Sequence, residues 1–136
     1  MLNINNNRGS ILVMTMFALA LVSTLIVGYL MIITTDLTIA SNDAWSRQAE
    51  FAAEAGIAES LYQLSQNDNW STGYSNEVLT TNQTFSVTVT NSKPLVTLVS
   101  TGSSNGFDKQ IQVELSISGL NASGDYRLNL NTWEEQ

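Results

Sequence analysis

The chain contains no cysteine, no histidine and a single proline, and 12% of its 136 residues are charged, about half the roughly 25% usual in soluble domains. Without cysteine there is no disulfide framework and no thiolate nucleophile. Without histidine there is no imidazole base, and with both missing there is no Cys/His zinc site. Cations are scarce as well: five Lys+Arg stand against 12 Asp+Glu, a net charge of −7. Five scattered positive charges form no basic stripe for a phosphate backbone, so nucleic acid is not an expected partner. Most nucleophilic and metal-assisted hydrolysis is thereby set aside. The chain is expected to be no enzyme and to hold no cofactor or metal.

The charge that remains is segregated. From Ser10 to Thr35 there is none, and Arg8 alone precedes Asp36. A mean hydropathy of +0.03 therefore averages an apolar rod and a polar body. Residues 11–33 read ILVMTMFALALVSTLIVGYLMII, with only Thr15, Ser23, Thr24 and Gly28 not apolar. As a helix this run reaches roughly 35 Å, enough for a hydrocarbon layer of about 30 Å. A buried core helix is the poorer reading, because a body of about 100 residues hardly surrounds six apolar turns. A cleaved secretory signal fits poorly too: the run is too long and ends in Thr34-Thr35-Asp36 without a small-residue site. Arg8 before the segment and Asp36 and Asp43 after it place the N-terminus in the cytoplasm and the body outside.

Helix-forming residues continue without proline through DLTIASNDAWSRQAEFAAEAGIAESLYQLSQ. Leu37, Ala40, Ala44, Phe51, Ala55 and Ala58 recur at three- and four-residue steps, and Ile57, Leu61 and Leu64 extend an apolar face. One helix over residues 11–66 would reach roughly 84 Å. Gly56 costs about 1 kcal/mol against alanine in an exposed helix; with Ala52, Ala53 and Ala55 around it, it predicts close approach of another element.

Residues 67–76 (NDNWSTGYSN) read as a loop, after which the period changes to two. Phe85, Val87 and Val89 alternate with polar residues, as do Ile111, Val113, Leu115 and Ile117. LVTLVS at 95–100 is a further strand opened by Pro94. Residues 91–93 and 101–106 read as connections, and 126–130 as an added edge strand. The expected fold is α+β: a long N-terminal helix, transmembrane in its first half (about 11–33) and amphipathic over 36–66, packed on a small antiparallel sheet within 67–136. Phe51, Ile57, Leu61 and Leu64 are expected to cover that sheet, contributing roughly 6 to 12 kcal/mol before entropy is subtracted.

Few residues suggest chemistry. Glu50, Glu54 and Glu59 lack the Asp-rich, glycine-containing loop of a calcium hand and read as a solvated helix face. Lys93 and Lys109 have no nucleophile motif around them. Asn69-Trp70-Ser71, Asn82-Gln83-Thr84 and Asn121-Ala122-Ser123 match the glycosylation acceptor pattern, which recurs by chance in a chain this rich in Asn, Ser and Thr. Trp70, Tyr74 and Trp133 are either contact aromatics or closures of the core.

The order of parts resembles a known family. A polar leader ending Arg8-Gly9, then Ser10-Ile11-Leu12-Val13-Met14, then Ala49-Glu50-Phe51-Ala52-Ala53-Glu54-Ala55-Gly56-Ile57, is similar to type IV pilin-like proteins. Within these, the PilX-type minor pilins and GspK-like pseudopilins are the nearest. The resemblance implies a leader of residues 1–9 removed by a prepilin peptidase after Gly9, leaving Ser10 as an N-methylated first residue. Removal also deletes Arg8, a charge that does not suit an apolar filament core. It further implies a single-pass protein of the bacterial inner membrane, transferred to a surface pilus or a secretion pseudopilus. Its partners would be other pilin subunits and membrane lipid, with helix packing at Met14, Gly28, Ala52 and Gly56.

Two departures matter. Ser10 replaces the family's usual Phe or Met, and Met14 stands at the fifth mature position, where major pilins carry glutamate. That glutamate is tolerable when buried because it is matched by a terminal amine of the subunit ahead. A subunit with nobody ahead would leave it unpaired, so Met14 suits a subunit that primes or caps a filament. The competing reading is an uncleaved bitopic membrane protein with an extracytoplasmic binding body; an adhesin carried on a pilus is a third.

Overall fold

The computed structural model describes residues 7–120 and 124–135, with side chains from Gly9 onward; the first six residues and the acceptor Asn121 lie outside. Helix α1 runs Asn7–Gln66. It is followed by strands β1 (Tyr74–Thr80), β2 (Gln83–Ser92), β3 (Leu95–Ser104), β4 (Phe107–Leu120) and β5 (Tyr126–Glu135). The chain divides into two units, Met1–Ser41 and Asn42–Gln136.

In the first unit α1 is long and apolar enough to cross a membrane, and its side chains are almost all exposed. Its hydroxyls bond back onto the helix's own carbonyls. Thr15 Oγ1 donates to Leu12 O at 2.8 Å, Ser23 Oγ to Leu19 O at 2.8 Å, and Thr24 Oγ1 to Leu21 O at 2.8 Å. Thr34 and Thr35 both donate to Met31 O at 2.9 Å. The serine and threonine hydroxyls of this segment are thus satisfied without water, as a lipid environment favours.

In the second unit the strands form one antiparallel sheet in the order β1-β2-β3-β4-β5, with residues 42–66 of α1 against one face. The period-two alternation seen in the sequence sets the register: Val87 faces Ser100, Leu98 faces Val113 and Val96 faces Leu115. One side of β3 is buried throughout as Val96, Leu98, Ser100, Gly102 and Ser104. The side chains are large at Val96 and Leu98 and small at Ser100, Gly102 and Ser104, and the helix answers with Leu64, Ser60 and Ile57 at one end and Ala53, Ala52 and Ala49 at the other, all buried. The helix backbone therefore closes on the sheet toward Gly102. An added Cβ there would collide with the carbonyl oxygen of Ala49 and the amide nitrogen of Ala53. One turn on, a Cβ at Gly56 would meet Ser100 Oγ at 2.5 Å, Phe85 Cδ2 at 2.9 Å and Val87 Cγ2 at 2.9 Å. Gly102 lets the sheet meet the helix backbone, and Gly56 lets the helix backbone meet side chains of β2 and β3, so each side of the seam contributes one glycine spacer.

Buried hydroxyls lock this seam. Ser100 Oγ donates to Ala53 O at 2.8 Å, Ser60 Oγ to Gly56 O at 2.7 Å, and Ser104 Oγ bonds Gln48 Oε1 at 3.0 Å. Ile57, Leu64, Leu98, Ile111, Val113 and Leu115 fill the wider end, with Leu61, Trp70, Val89, Ile117 and Leu128 packed around them.

Several expectations need correction. Phe51 does not cover the sheet; it is 62% exposed and points away. The loop over 67–76 is shorter, because β1 begins at Tyr74, and residues 91–92 and 101–104 belong to β2 and β3. Ser and Thr at those positions alternate as regularly as Val does but carry no hydropathy signal, which is why the strand ends read as turns. β5 reaches Glu135, five residues past the expected end.

Candidate interaction surfaces

The residues singled out in the sequence fall into three places. Gly9, Ser10, Met14 and Gly28 lie on the exposed apolar part of α1; nothing stands within 4 Å of a Cβ built at Gly9 or Gly28, and Met14 is 76% exposed. Ala52 and Gly56 are instead spent inside the fold, against β2 and β3. Small residues are needed here by the protein's own sheet, which makes the close approach expected at Gly56.

What the second unit presents outward is a different stripe. At 100° per residue, Phe51, Ala55, Ala58 and Tyr62 share one side of α1, about half a turn from the buried side formed by Ala49, Ala53, Ile57, Ser60 and Leu64. Phe51 and Tyr62 are 62% and 60% exposed, and Ala58 is exposed between them. A helix lying on a sheet requires one apolar side; this one has two, separated by flanks bearing Glu50 and Glu54 on one hand and Gln48, Glu59 and Gln63 on the other.

The acidic residues are not gathered into a centre. Glu59 accepts from Tyr74 Oη at 3.1 Å and from Gln63 Nε2 at 3.3 Å, and Glu50 lines a notch with Lys109, Gln110, Ile111 and Glu135. Partial burial, the hydrogen bond to Glu59 and its negative charge hold the Tyr74 phenol above its ordinary pKa of 10.0. Among the described residues no group of three or more His, Cys, Asp or Glu is placed to hold a metal ion.

The aromatics close the edges of the core. Trp70 packs on Tyr74 with ring centroids 5.5 Å apart, Tyr74 on Phe85 at 5.7 Å, and Trp45 on Phe107 at 6.0 Å. The loop after α1 is pinned by Asn91, whose Nδ2 donates to Asp68 O at 2.8 Å and Trp70 O at 3.2 Å, and by the ion pair of Lys93 with Asp68. Beside it lies an open cleft of about 420 Å³ lined by Asp68, Lys93, Pro94, Ile117, Ser118, Gly119 and Tyr126.

A long apolar N-terminal helix whose later turns lie on an antiparallel sheet is a pilin-like architecture. The chain matches no family model, no curated protein and no solved structure.

Proposed function

We propose that the protein is a minor pilin or pseudopilin subunit, a structural component that primes or caps a type IV pilus-like filament. The observation that carries this reading is the second apolar stripe of α1, Phe51, Ala55, Ala58 and Tyr62, which lies on the side opposite the sheet and is exposed at Phe51, Ala58 and Tyr62. An apolar stripe on a helix already packed by its other side is suited to another helix. The apolar segment, its serine and threonine hydroxyls bonded to the helix's own carbonyls, suits storage in the membrane, the N-terminus cytoplasmic and the sheet outside. Removal of residues 1–9 by a prepilin peptidase would leave a helix with no charged side chain from Ser10 to Thr35. Met14 keeps an unpaired carboxylate away from the end of a filament.

A photocrosslinking residue at Phe51, introduced into the full chain in its native host, is expected to capture other pilin subunits, whereas the same residue at Thr88, exposed on the sheet, is not. Purified filaments should contain the protein as a minor component; finding it as the dominant subunit would overturn the priming or capping role. Met14→Glu should reduce filament number or displace the protein from the end, and unchanged piliation and position would remove the basis for that role.

A further inference from the structure

β3 and β4 are joined by a two-residue turn. Ser104 pairs with Phe107, so Asn105 and Gly106 alone reverse the chain, and both take left-handed backbone, with φ of 47° and 83°. Two positive φ angles give the turn whose twist matches that of a hairpin, and Asn-Gly adopts it most readily. The conformation accounts for the residues, and the residues carry a chemistry of their own. Asn105-Gly106 is the one Asn-Gly step in the chain; every other asparagine is followed by a residue with a side chain. Joining the Gly106 nitrogen to Asn105 Cγ closes a five-membered ring. Nothing obstructs it: both residues are exposed, and nothing stands within 4 Å of a Cβ built at Gly106. Among the described residues neither the Asn105 side chain nor the Gly106 amide makes a hydrogen bond. Asn91, by contrast, has its Nδ2 bound to two carbonyls. The base of the turn is tied to the helix, since Ser104 Oγ donates to Gln48 Oε1 at 3.0 Å and Phe107 packs on Trp45 with ring centroids 6.0 Å apart.

We propose that Asn105 is a self-modifying site, at which the chain loses ammonia and rewrites its own β3–β4 turn without an enzyme. The Gly106 nitrogen gives its proton to hydroxide and attacks Asn105 Cγ. As the N–Cγ bond forms, the Cγ–Nδ2 bond breaks, and Nδ2 takes a proton from water and leaves as ammonia. Water then opens the cyclic imide. Cleavage of the N–Cγ bond restores the main chain with aspartate at 105; cleavage between the nitrogen and the main-chain carbonyl carbon leaves isoaspartate, with the chain running through Cβ and Cγ. One water enters, one ammonia leaves, and no atom changes oxidation state. The attack requires rotation about the Cα–C bond of Asn105, for which only the two exposed turn residues have to move. Either product adds one negative charge to a chain of net −7. Their effects on the turn differ. Asp-Gly suits the same turn as Asn-Gly, whereas isoaspartate lengthens the main chain by a methylene, so that two residues no longer close Ser104 on Phe107. The loosening reaches Gln48 and Trp45 through the contacts at the base of the turn. No part of this rests on the pilin reading.

The full chain in nonionic detergent is incubated at mildly alkaline pH, and peptide mass spectrometry follows each asparagine. Digestion in heavy-oxygen water marks the conversion that occurs during handling, and only unmarked product is counted. The peptide holding Asn105 is expected to gain about 1 Da, at a rate about tenfold or more above that of any other asparagine. It should also accept a methyl group from S-adenosylmethionine through a protein isoaspartyl methyltransferase. Asn105→Gln, whose ring would need one more atom, should remove both signals. In amide hydrogen exchange the separated isoaspartyl chain should exchange faster at Ser104 and Phe107 than the parent, while Asn105→Asp, which keeps the main chain, exchanges as the parent does. A faster gain at another asparagine, no gain at Asn105, or gain in the urea-unfolded chain alone would each overturn the proposal. Equal exchange in the isoaspartyl and parent chains would overturn the opening of the turn.

Discussion

Gly102→Ala adds one methyl group at the point where helix and sheet backbones come closest. The new Cβ would run into Ala49 O and Ala53 N and stand 2.9 Å from the Ala52 carbonyl carbon. These are backbone atoms, so no rotamer change makes room and the helix must lift from β3. Lifting it stretches the bond from Ser100 Oγ to Ala53 O, 2.8 Å in the parent, and opens the seam at three fully buried alanines. Overpacking of a well-filled core costs about 1 to 3 kcal/mol, and a clash with backbone belongs at the upper end. Restricting the unfolded chain returns only about 0.4 to 1 kcal/mol. The net cost is about 2 kcal/mol, which for a domain of this size lowers Tm by about 8 to 16 °C. Gly119→Ala is the control, because a Cβ there meets nothing within 4 Å; its effect should stay within about 0.5 kcal/mol. The assay is thermal and urea unfolding of the full chain in detergent, followed by near-UV circular dichroism from Trp45 and Trp70. A Gly102→Ala protein as stable as Gly119→Ala would refute the tapered seam.

Four further outcomes follow from the same geometry. Ser100→Ala removes a buried hydrogen bond and leaves Ala53 O with one acceptor site fewer filled, which should cost about 1 kcal/mol in urea unfolding. Phe51→Ser, at an exposed site, should shift stability by less than about 0.5 kcal/mol while lowering recovery of the protein in sheared filaments. Because the Tyr74 phenol is held above 10.0 in the folded protein by partial burial and Glu59, the folded state binds that proton more tightly than the unfolded state. Stability is then fully present below pH 10 and declines as pH rises through the folded value. Absorbance near 295 nm should show a late-ionising phenol that Tyr74→Phe removes, and Tyr74→Phe should lose this part of the alkaline destabilisation. Lys93→Ala removes the partner of Asp68; the pair is partly exposed, so the loss should stay below about 1 kcal/mol and appear as faster amide exchange over residues 67–73.

The α+β layout was legible because its signals are strong and local. A charge-free apolar run, a proline-free continuation and a change of period from 3.6 to 2 mark helix and sheet without tertiary information. The seam between them was only half legible. Gly56 announced a close approach, but its counterpart Gly102 sits among Thr101, Ser103 and Ser104, where a glycine reads as a turn. Phe51 reads as sheet-facing although it is exposed, because the helix has two apolar stripes and hydropathy alone does not say which meets the sheet. Alanine was the better guide: Ala49, Ala52 and Ala53 are fully buried because the approach leaves room for nothing larger. The edge strand β5 was underestimated, since Asn129, Asn131 and Thr132 dilute its alternation and its bulge shifts the phase at Asn131.

Whether the protein is a processed, filament-forming subunit is tested most directly by the mass of the membrane-extracted chain. Intact and N-terminal peptide mass spectrometry from the native host should show a chain beginning at N-methylated Ser10, with residues 1–9 gone. A chain that still begins at Met1 with its leader in place would contradict the claim and identify an uncleaved bitopic anchor.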